Sequence, residues 1–215
     1  MTEAGNGYNQ GVCGIVEKAR DRNGKTEQEF LREYDVTKYF RPSVTVDAVL
    51  YRKIENGIRL LMIERGGHPF IGRYAFPGGF VDRDEDCETA AARELEEETN
   101  IRGVALRQLI TASTPGRDPR WRNITVVFCA EADECEARAG DDAANAVWFD
   151  VVCKKDGTLE FCGNGIRFVA KLDIVRDAFG KPDINKTQIV ERGLTAFDHA
   201  KIIYFLAEAV HNGGL

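Results

Sequence analysis

The chain has 215 residues, 43% hydrophobic and 30% charged, enough to bury a sizeable core in one domain with additions or in two small ones. Its net charge of −6 argues against a broad nucleic-acid footprint, because such surfaces neutralise phosphates with clustered Lys and Arg. No apolar run approaches the roughly 18 residues of a membrane span, and Met1 to Gln10 lack the basic start and apolar middle of a signal peptide. A cytoplasmic protein with no membrane partner is therefore expected. Its cysteines, Cys13, Cys87, Cys129, Cys135, Cys153 and Cys162, form no Cys-x-x-Cys pair and are expected as free thiols.

Residues 1–24 have no clear period; a flexible tail and a short N-terminal element both fit. Thr26 followed by Glu29 reads as a capping box that opens a short helix to about Tyr34, and Arg41-Pro42 ends that segment. From Ser43 the period becomes two, so a strand is expected; Asn56-Gly57 predicts a type I′ hairpin turn, with Ile58 to Ile63 returning as the second strand. Gly66 to Gly79, rich in Gly and Pro, reads as a functional loop. A helix is expected from about Cys87 to Thr99, then strands near Val104–Ala112, Asn123–Ala132 and Ala146–Val152.

Lys155-Asp156-Gly157 and Gly163-Asn164-Gly165 are turn signals that add a β-hairpin over residues 150–171; residues 172–192 fit either an extension of that sheet or a short helix. Asp198 is placed to cap a last helix, His199 to His211, with Ile202, Ile203, Phe205, Leu206 and Val210 on its apolar face. Strands, a helix, then more strands give an α+β class. The expected division is an N-terminal extension over 1–40 and a main domain over 41–215, with 150–192 as a β insertion.

Between Asp84 and Glu98 eight acids face a single base, Arg93. Like charges at i,i+3 and i,i+4 repel, so an isolated helix of this sequence is poorly stable. At about 100° per residue, Glu94, Glu97 and Glu98 share one face. Ala90 and Ala91 are expected to leave that face uncrowded, with Leu95 and Ala92 turned to the core. Carboxylates clustered on a rigid helix are hard oxygen ligands suited to Mg²⁺ or Mn²⁺, and the cation would relieve their repulsion. Gly78-Gly79 lets backbone approach a ligand closely, and a free carbonyl there can join the carboxylates. On charge alone a solvated acidic face is the competing reading.

The order of these residues decides between the two. From Gly79, five residues lead to Glu85, seven more to Arg93-Glu94, then Leu95, one residue, Glu97-Glu98, one residue, Asn100 and Ile101. This resembles the Nudix box, with Asn100 where the family has Gly; Asn is the next-best residue for a left-handed helix end. The resemblance runs from about Tyr39 to Val210. Arg41 to Asp47, Arg65 to Phe70, Tyr74 to Val81 and Leu194 to Ala200 are similar to segments of the ADP-ribose pyrophosphatase-like branch.

The resemblance implies an α/β/α sandwich around a mixed sheet. It implies hydrolysis of a nucleoside diphosphate linked to another group, with Mg²⁺ or Mn²⁺. Carried over by position, it makes Glu94, Glu97, Glu98 and Gly79 the metal site, with Glu97 either ligand or base, Arg93 the residue that orients Glu94, and Glu85 a partner of Arg93 or of a metal-bound water. ADP-ribose or a related nucleotide sugar is the expected substrate.

Outside the box, Arg117, Arg120 and Arg122 are candidates to grip the diphosphate beside Gly78, since guanidinium forks suit phosphate oxygens; a solvent-exposed loop is the alternative. Trp121 and Tyr74 suit base stacking or core packing, His68 and His199 read as structural or capping residues, and His211 suits the last helical carbonyls or solvent. The rival functions are a Nudix-derived repressor that senses ADP-ribose-like metabolites, a triphosphatase that cleans the nucleotide pool, and a silent binding module. The intact acidic box and the five residues after Val210, too few for a winged helix, weigh against the repressor. A homodimer is expected, with residues 150–192 forming or covering its interface.

Overall fold

In a computed structural model the described residues are 19–132 and 146–213, and the chain divides into two compact units, Met1–Arg41 and Pro42–Leu215. In the first unit, α1 (Glu27–Glu33) starts at the expected capping box. The Thr26 hydroxyl accepts from the Glu29 N–H, and Glu29 returns a carboxylate oxygen to the Thr26 N–H at 2.8 Å. Cys13 and Cys135 lie outside the described residues; Cys87, Cys129, Cys153 and Cys162 are free thiols.

Among the described residues the second unit is built on a nine-stranded mixed sheet. Its strands are β1 (Ser43–Ile54), β2 (Gly57–Glu64), β3 (Tyr74–Ala75), β4 (Arg107–Ala112), β5 (Asn123–Glu131), β6 (Ala146–Cys153), β7 (Thr158–Gly163), β8 (Ile166–Asp173) and β9 (Gln188–Glu191). They run in the order β4-β5-β1-β2-β6-β7-β8-β9, with β3 paired to β2. β1 and β5 are parallel, in register from Ser43 opposite Asn123 to Tyr51 opposite Glu131; the other ladders are antiparallel.

Val46 to Tyr51 of β1 are all buried, so this strand is covered on both faces. Alternate side chains part to opposite sides. Val49 and Tyr51 join the large core with α3 (His199–His211), through Ile202, Ile203 and Leu206. Val46, Ala48 and Leu50 meet α2 (Cys87–Thr99) through Ala90, Ala91 and Leu95. One helix on each face of the sheet is the expected sandwich.

Turn chemistry separates the two hairpins. At the β7–β8 turn, Asn164 (φ 47°) and Gly165 (φ 78°) both lie in the left-handed region, the type I′ arrangement. The β1–β2 hairpin forms too, but Ile54 pairs with Gly57, so its linking residues are Glu55 and Asn56, neither at positive φ. The expected type I′ turn at Asn56-Gly57 is thus corrected. Gly57 is required because a Cβ there would sit 2.2 Å from the Val151 carbonyl oxygen of β6. Residues 172–192 finish β8, form a loop and pair β9 on β8; no helix forms there. Strand β4 begins at Arg107, later than expected, since Arg102 to Leu106 take no ladder bonds. Among the described residues no helix is long and apolar enough to cross a membrane.

Candidate functional site

Helix α2 presents the acidic box. Asp86 caps it, accepting from the Thr89 N–H at 2.7 Å, and Asn100 ends it in the left-handed conformation (φ 58°, ψ 14°) that the departure from Gly demands. The buried stripe is Ala90, Ala91, Leu95 and Thr99, while Ala92 is exposed. The expected placement of the alanines is therefore reversed: Ala90 and Ala91 pack on Val46 and Phe128 of the sheet. Glu94 and Glu98 border that stripe and are drawn against the Gly78-Gly79 backbone, whereas Glu97 is 58% exposed.

The glycines make this contact possible. Glu98 Oε2 accepts from the Gly78 N–H at 2.9 Å. A Cβ on Gly79 would lie 2.3 Å from Glu94 Oε1, so only bare backbone fits beside that carboxylate. Strand β1 holds the loop: the Val46 N–H donates to the Gly79 carbonyl at 2.9 Å and the Ala48 N–H to the Pro77 carbonyl at 2.8 Å. The Gly79 carbonyl is thus already engaged, contrary to the expectation of a free one; only its second lone pair is uncommitted to that bond.

Arg93 ties the acids together. Its guanidinium donates to Glu85 at 2.7 and 3.2 Å, to Glu94 at 2.8 Å, to Glu97 at 3.2 Å and to the Phe80 carbonyl at 3.2 Å. Arg93 holds the Glu85 carboxyl below its ordinary value, helped by the Asp82 N–H. Burial acts the other way on the two inner acids. It lifts Glu94 despite Arg93, and it pushes Glu98 up to about 7, against the Gly78 N–H and with Glu94 adding to the rise.

Two crowded carboxylates with too little positive charge, all hard oxygen donors, suit a divalent cation such as Mg²⁺ or Mn²⁺. Among the described residues no three ligating side chains converge closely enough to hold one by themselves. The fit therefore rests on Glu94 and Glu98 with water completing the shell, as Mg²⁺ commonly keeps several waters.

Gly78 and Gly79 also line a cavity of about 160 Å³, together with Thr45, Asp47, Arg65, Phe80, Arg120 and Phe197 among others. Arg117 reaches the same wall but is not available as a grip: it is buried and forms a two-pronged ion pair with Asp198. Burial alone would lower its pKa, yet Asp198 outweighs this and raises it. Asp198, expected to cap α3, makes no side-chain capping bond, because its carboxylate is spent on Arg117.

Arg120 lines the cavity and is also held by two bonds, to Asp118 at 2.7 and 3.1 Å, but its side chain is 41% exposed where that of Arg117 is 5% exposed, so it still reaches the cavity. Burial raises Asp118, but Arg120 prevails and its carboxyl lies below its ordinary value. Arg122 is not among the lining residues and donates to the Asn123 carbonyl at 3.3 Å.

His199 is buried, as the structural reading expected. Its Nδ1 accepts from the Phe76 N–H at 3.1 Å, and its Nε2 lies 3.5 Å from Asp47 Oδ1. Tyr74 is core packing, edge-on to Phe149 at 4.7 Å between ring centroids. Trp121 is exposed, as are His68 and His211. Arg65, Asp47, Phe197 and Asp118 were missed as site residues. Three come from distant loops or strands, and the only signal was that Asp47, Arg65 and Phe197 sit inside the segments that resemble the family.

The NUDIX domain family model matches residues 41–152. The ADP-ribose pyrophosphatase of Methanocaldococcus jannaschii is 38% identical over 127 residues, 58% of this chain and 73% of that protein. A crystal structure of a MutT/nudix family protein from Enterococcus faecalis superposes with a TM-score of 0.69 at 28% identity, covering 94% of this chain and 76% of that one. The NUDIX domain of Shewanella oneidensis NrtR, solved with ADP ribose, superposes with a TM-score of 0.53 at 31% identity, covering 59% of this chain and 84% of that one. The chain also resembles an ADPR responsive transcriptional repressor of Acinetobacter baylyi, 34% identical over 110 residues, half of this chain and 44% of that protein. Fold and box together define the α+β sandwich of the NUDIX domain. The chain belongs to the Nudix family.

Proposed function

We propose that this protein hydrolyses the phosphoanhydride of ADP-ribose, or of a closely related nucleoside diphosphate sugar, with Mg²⁺ or Mn²⁺. The observation that carries it is the meeting of Glu94 and Glu98 with the Gly78-Gly79 backbone at the edge of a cavity that Arg120 lines. The cavity suits an anionic group and the carboxylates suit a cation. Likeness to a protein named ADP-ribose pyrophosphatase, and to a domain solved with ADP ribose, supports the choice of substrate.

In this reading Glu94 and Glu98 would hold the cation, and the Gly79 carbonyl beside them could assist. A bound divalent cation lowers the pKa of water and offsets the charge that gathers on the phosphoryl oxygens. Arg93, anchored by Glu85, fixes the Glu94 carboxylate. Glu97, the most exposed of the three glutamates, accepts the proton that the attacking water gives up. Arg120 and the Gly78 backbone position the diphosphate. Hydrolysis yields two phosphate monoesters, so the test is chromatography of ADP-ribose incubated with the protein and Mg²⁺. AMP and a ribose phosphate are expected, and turnover confined to nucleoside triphosphates would overturn the substrate.

Likeness to the Acinetobacter repressor favours a second reading, a sensor that binds ADP-ribose-like metabolites without cleaving them. The complete set of box carboxylates supports catalysis instead. We further propose residues 41–215 as the catalytic domain, a cytoplasmic location with no nucleic-acid partner, and a homodimer whose interface includes the strands β7 to β9 that extend the sheet. Light scattering that returns the mass of a single chain at micromolar concentration would remove the dimer.

A further inference from the structure

One wall of the cavity is an alternation of rings and guanidiniums. The Arg120 guanidinium lies 5.4 Å from the Phe80 ring and 5.6 Å from the Phe197 ring, and Arg65 lies 4.9 Å from the same Phe197 ring. Behind them Phe197 packs edge-on to Phe70 at 5.0 Å, and Arg192 covers Phe70 at 5.1 Å. Arg65, Arg120, Phe80 and Phe197 all line the cavity.

Two features mark this wall as built for a ligand. Phe70 (φ 67°) and Phe197 (φ 46°) both have left-handed backbone, a region that disfavours any residue with a Cβ and is held only where the surroundings impose it. They come from loops well apart in sequence and meet each other. The second feature is charge. Arg65 donates Nε to the Pro69 carbonyl at 2.8 Å and makes no ion pair among the described residues. Burial, and then the neighbouring Arg120, bring its pKa below the ordinary value, although Glu98, Asp118 and Asp47 oppose this, and Asp118 is already bonded to Arg120. The Arg65 guanidinium, on the cavity wall with no ion pair of its own among the described residues, is placed to meet an anion that enters.

We propose that Phe197 is a positioning residue whose ring sets the Arg65 and Arg120 guanidiniums side by side, so that together they grip the diphosphate of the substrate. This deepens the reading above and assigns to Arg65 the anion contact that Arg117, bound to Asp198, cannot make. A guanidinium stacked on an aromatic face keeps its in-plane N–H groups for donation; Arg65 spends Nε on the Pro69 carbonyl and Arg120 spends Nε and Nη2 on Asp118, and the remaining N–H groups serve the phosphate oxygens.

Binding of ADP and of adenosine to the whole chain, by calorimetry without divalent metal, tests the grip separately from hydrolysis. Wild type is expected to bind ADP. Phe197→Leu keeps the apolar bulk but loses the π face and should weaken ADP about tenfold, on the scale of one charge-assisted contact. Phe197→Tyr should restore the affinity, Arg65→Gln should weaken it similarly, and adenosine should bind all four proteins alike. Equal ADP affinity in wild type, Phe197→Leu and Arg65→Gln would overturn the proposal. So would equal losses for ADP and adenosine, the mark of a merely structural role, or no ADP binding by wild type. Failure to hydrolyse ADP-ribose would instead count against the substrate reading and leave this result standing.

Discussion

Arg117 and Asp198 are joined by two parallel bonds, Nη2 to Oδ1 at 2.6 Å and Nε to Oδ2 at 3.0 Å, with 5% and 8% of their side chains exposed. The pair ties the loop after β4 to the start of α3. Removing one partner of a buried pair strands the other charge, so Arg117→Ala should cost about 3–5 kcal/mol of stability in urea unfolding. Arg120 is itself 41% exposed, and its buried partner Asp118 would keep the residue-120 N–H and Asn123 as donors, so Arg120→Ala should cost less, about 1–3 kcal/mol, while weakening substrate binding. Similar stability losses for the two variants would contradict these separate roles.

The adjacent glycines should behave differently. A Cβ on Gly78 meets the Val46 carbonyl oxygen at 2.2 Å, fixed backbone of β1, and Gly78→Ala should lose about 1–3 kcal/mol by overpacking. A Cβ on Gly79 meets the movable end of Glu94. Gly79→Ala should therefore keep most of its stability and lose activity, as thermal unfolding and a hydrolysis assay together will show.

In the proposed mechanism Glu85 acts through Arg93, to which it is joined by two bonds. With Glu85→Gln the two Arg93 bonds lose their charged acceptor, and kcat should fall by about 10- to 100-fold, the range found when support of a metal ligand is removed. KM for ADP-ribose should change little. Unchanged kcat would mean that Arg93 holds its place without Glu85.

His199 makes stability depend on pH. Burial lowers its pKa below the ordinary 6.5, and Arg117 and Arg65 add to this while Asp47 and Asp198 oppose it. The unfolded chain therefore binds this proton more readily than the folded one. The neutral ring's contribution is full above pH 6.5 and is lost as pH falls below it. The stability difference between wild type and His199→Gln should accordingly shrink from pH 8 to pH 5 in urea titrations. A difference that stays constant would show that the ring is not held neutral.

Much of this was readable in the chain. Helix α2 could be placed because its caps and its box spacing are local, and Asn100 adopts the left-handed end that its chemistry suggested. The box named Glu94 and Glu98, and the glycines were expected beside them; not legible was that β1 grips the glycine loop and engages the Gly79 carbonyl. The fate of each arginine was not legible. Arg117, Arg120 and Arg122 are near neighbours in sequence; Arg120 pairs with the nearby Asp118, and only the arrival of Asp198 from a loop about 80 residues later buries and neutralises Arg117. The cavity wall is hidden for the same reason, since Phe197 and Arg65 meet only when the loops around β3 close. The first hairpin was misplaced by one residue because Gly57 answers to β6 rather than to its own turn.

In the proposed function Glu94 and Glu98 form a metal-dependent catalytic edge. The most direct measurement is the rate of AMP release from ADP-ribose as Mg²⁺ is titrated into wild type, Glu98→Gln and Glu96→Gln. Glu96 pairs with Arg102 on the outer side of the helix and serves as the control. The expected result is Mg²⁺-dependent turnover in wild type and Glu96→Gln, with Glu98→Gln slower by on the order of 100-fold or more. Equal rates in wild type and Glu98→Gln, or turnover that ignores Mg²⁺, would contradict it.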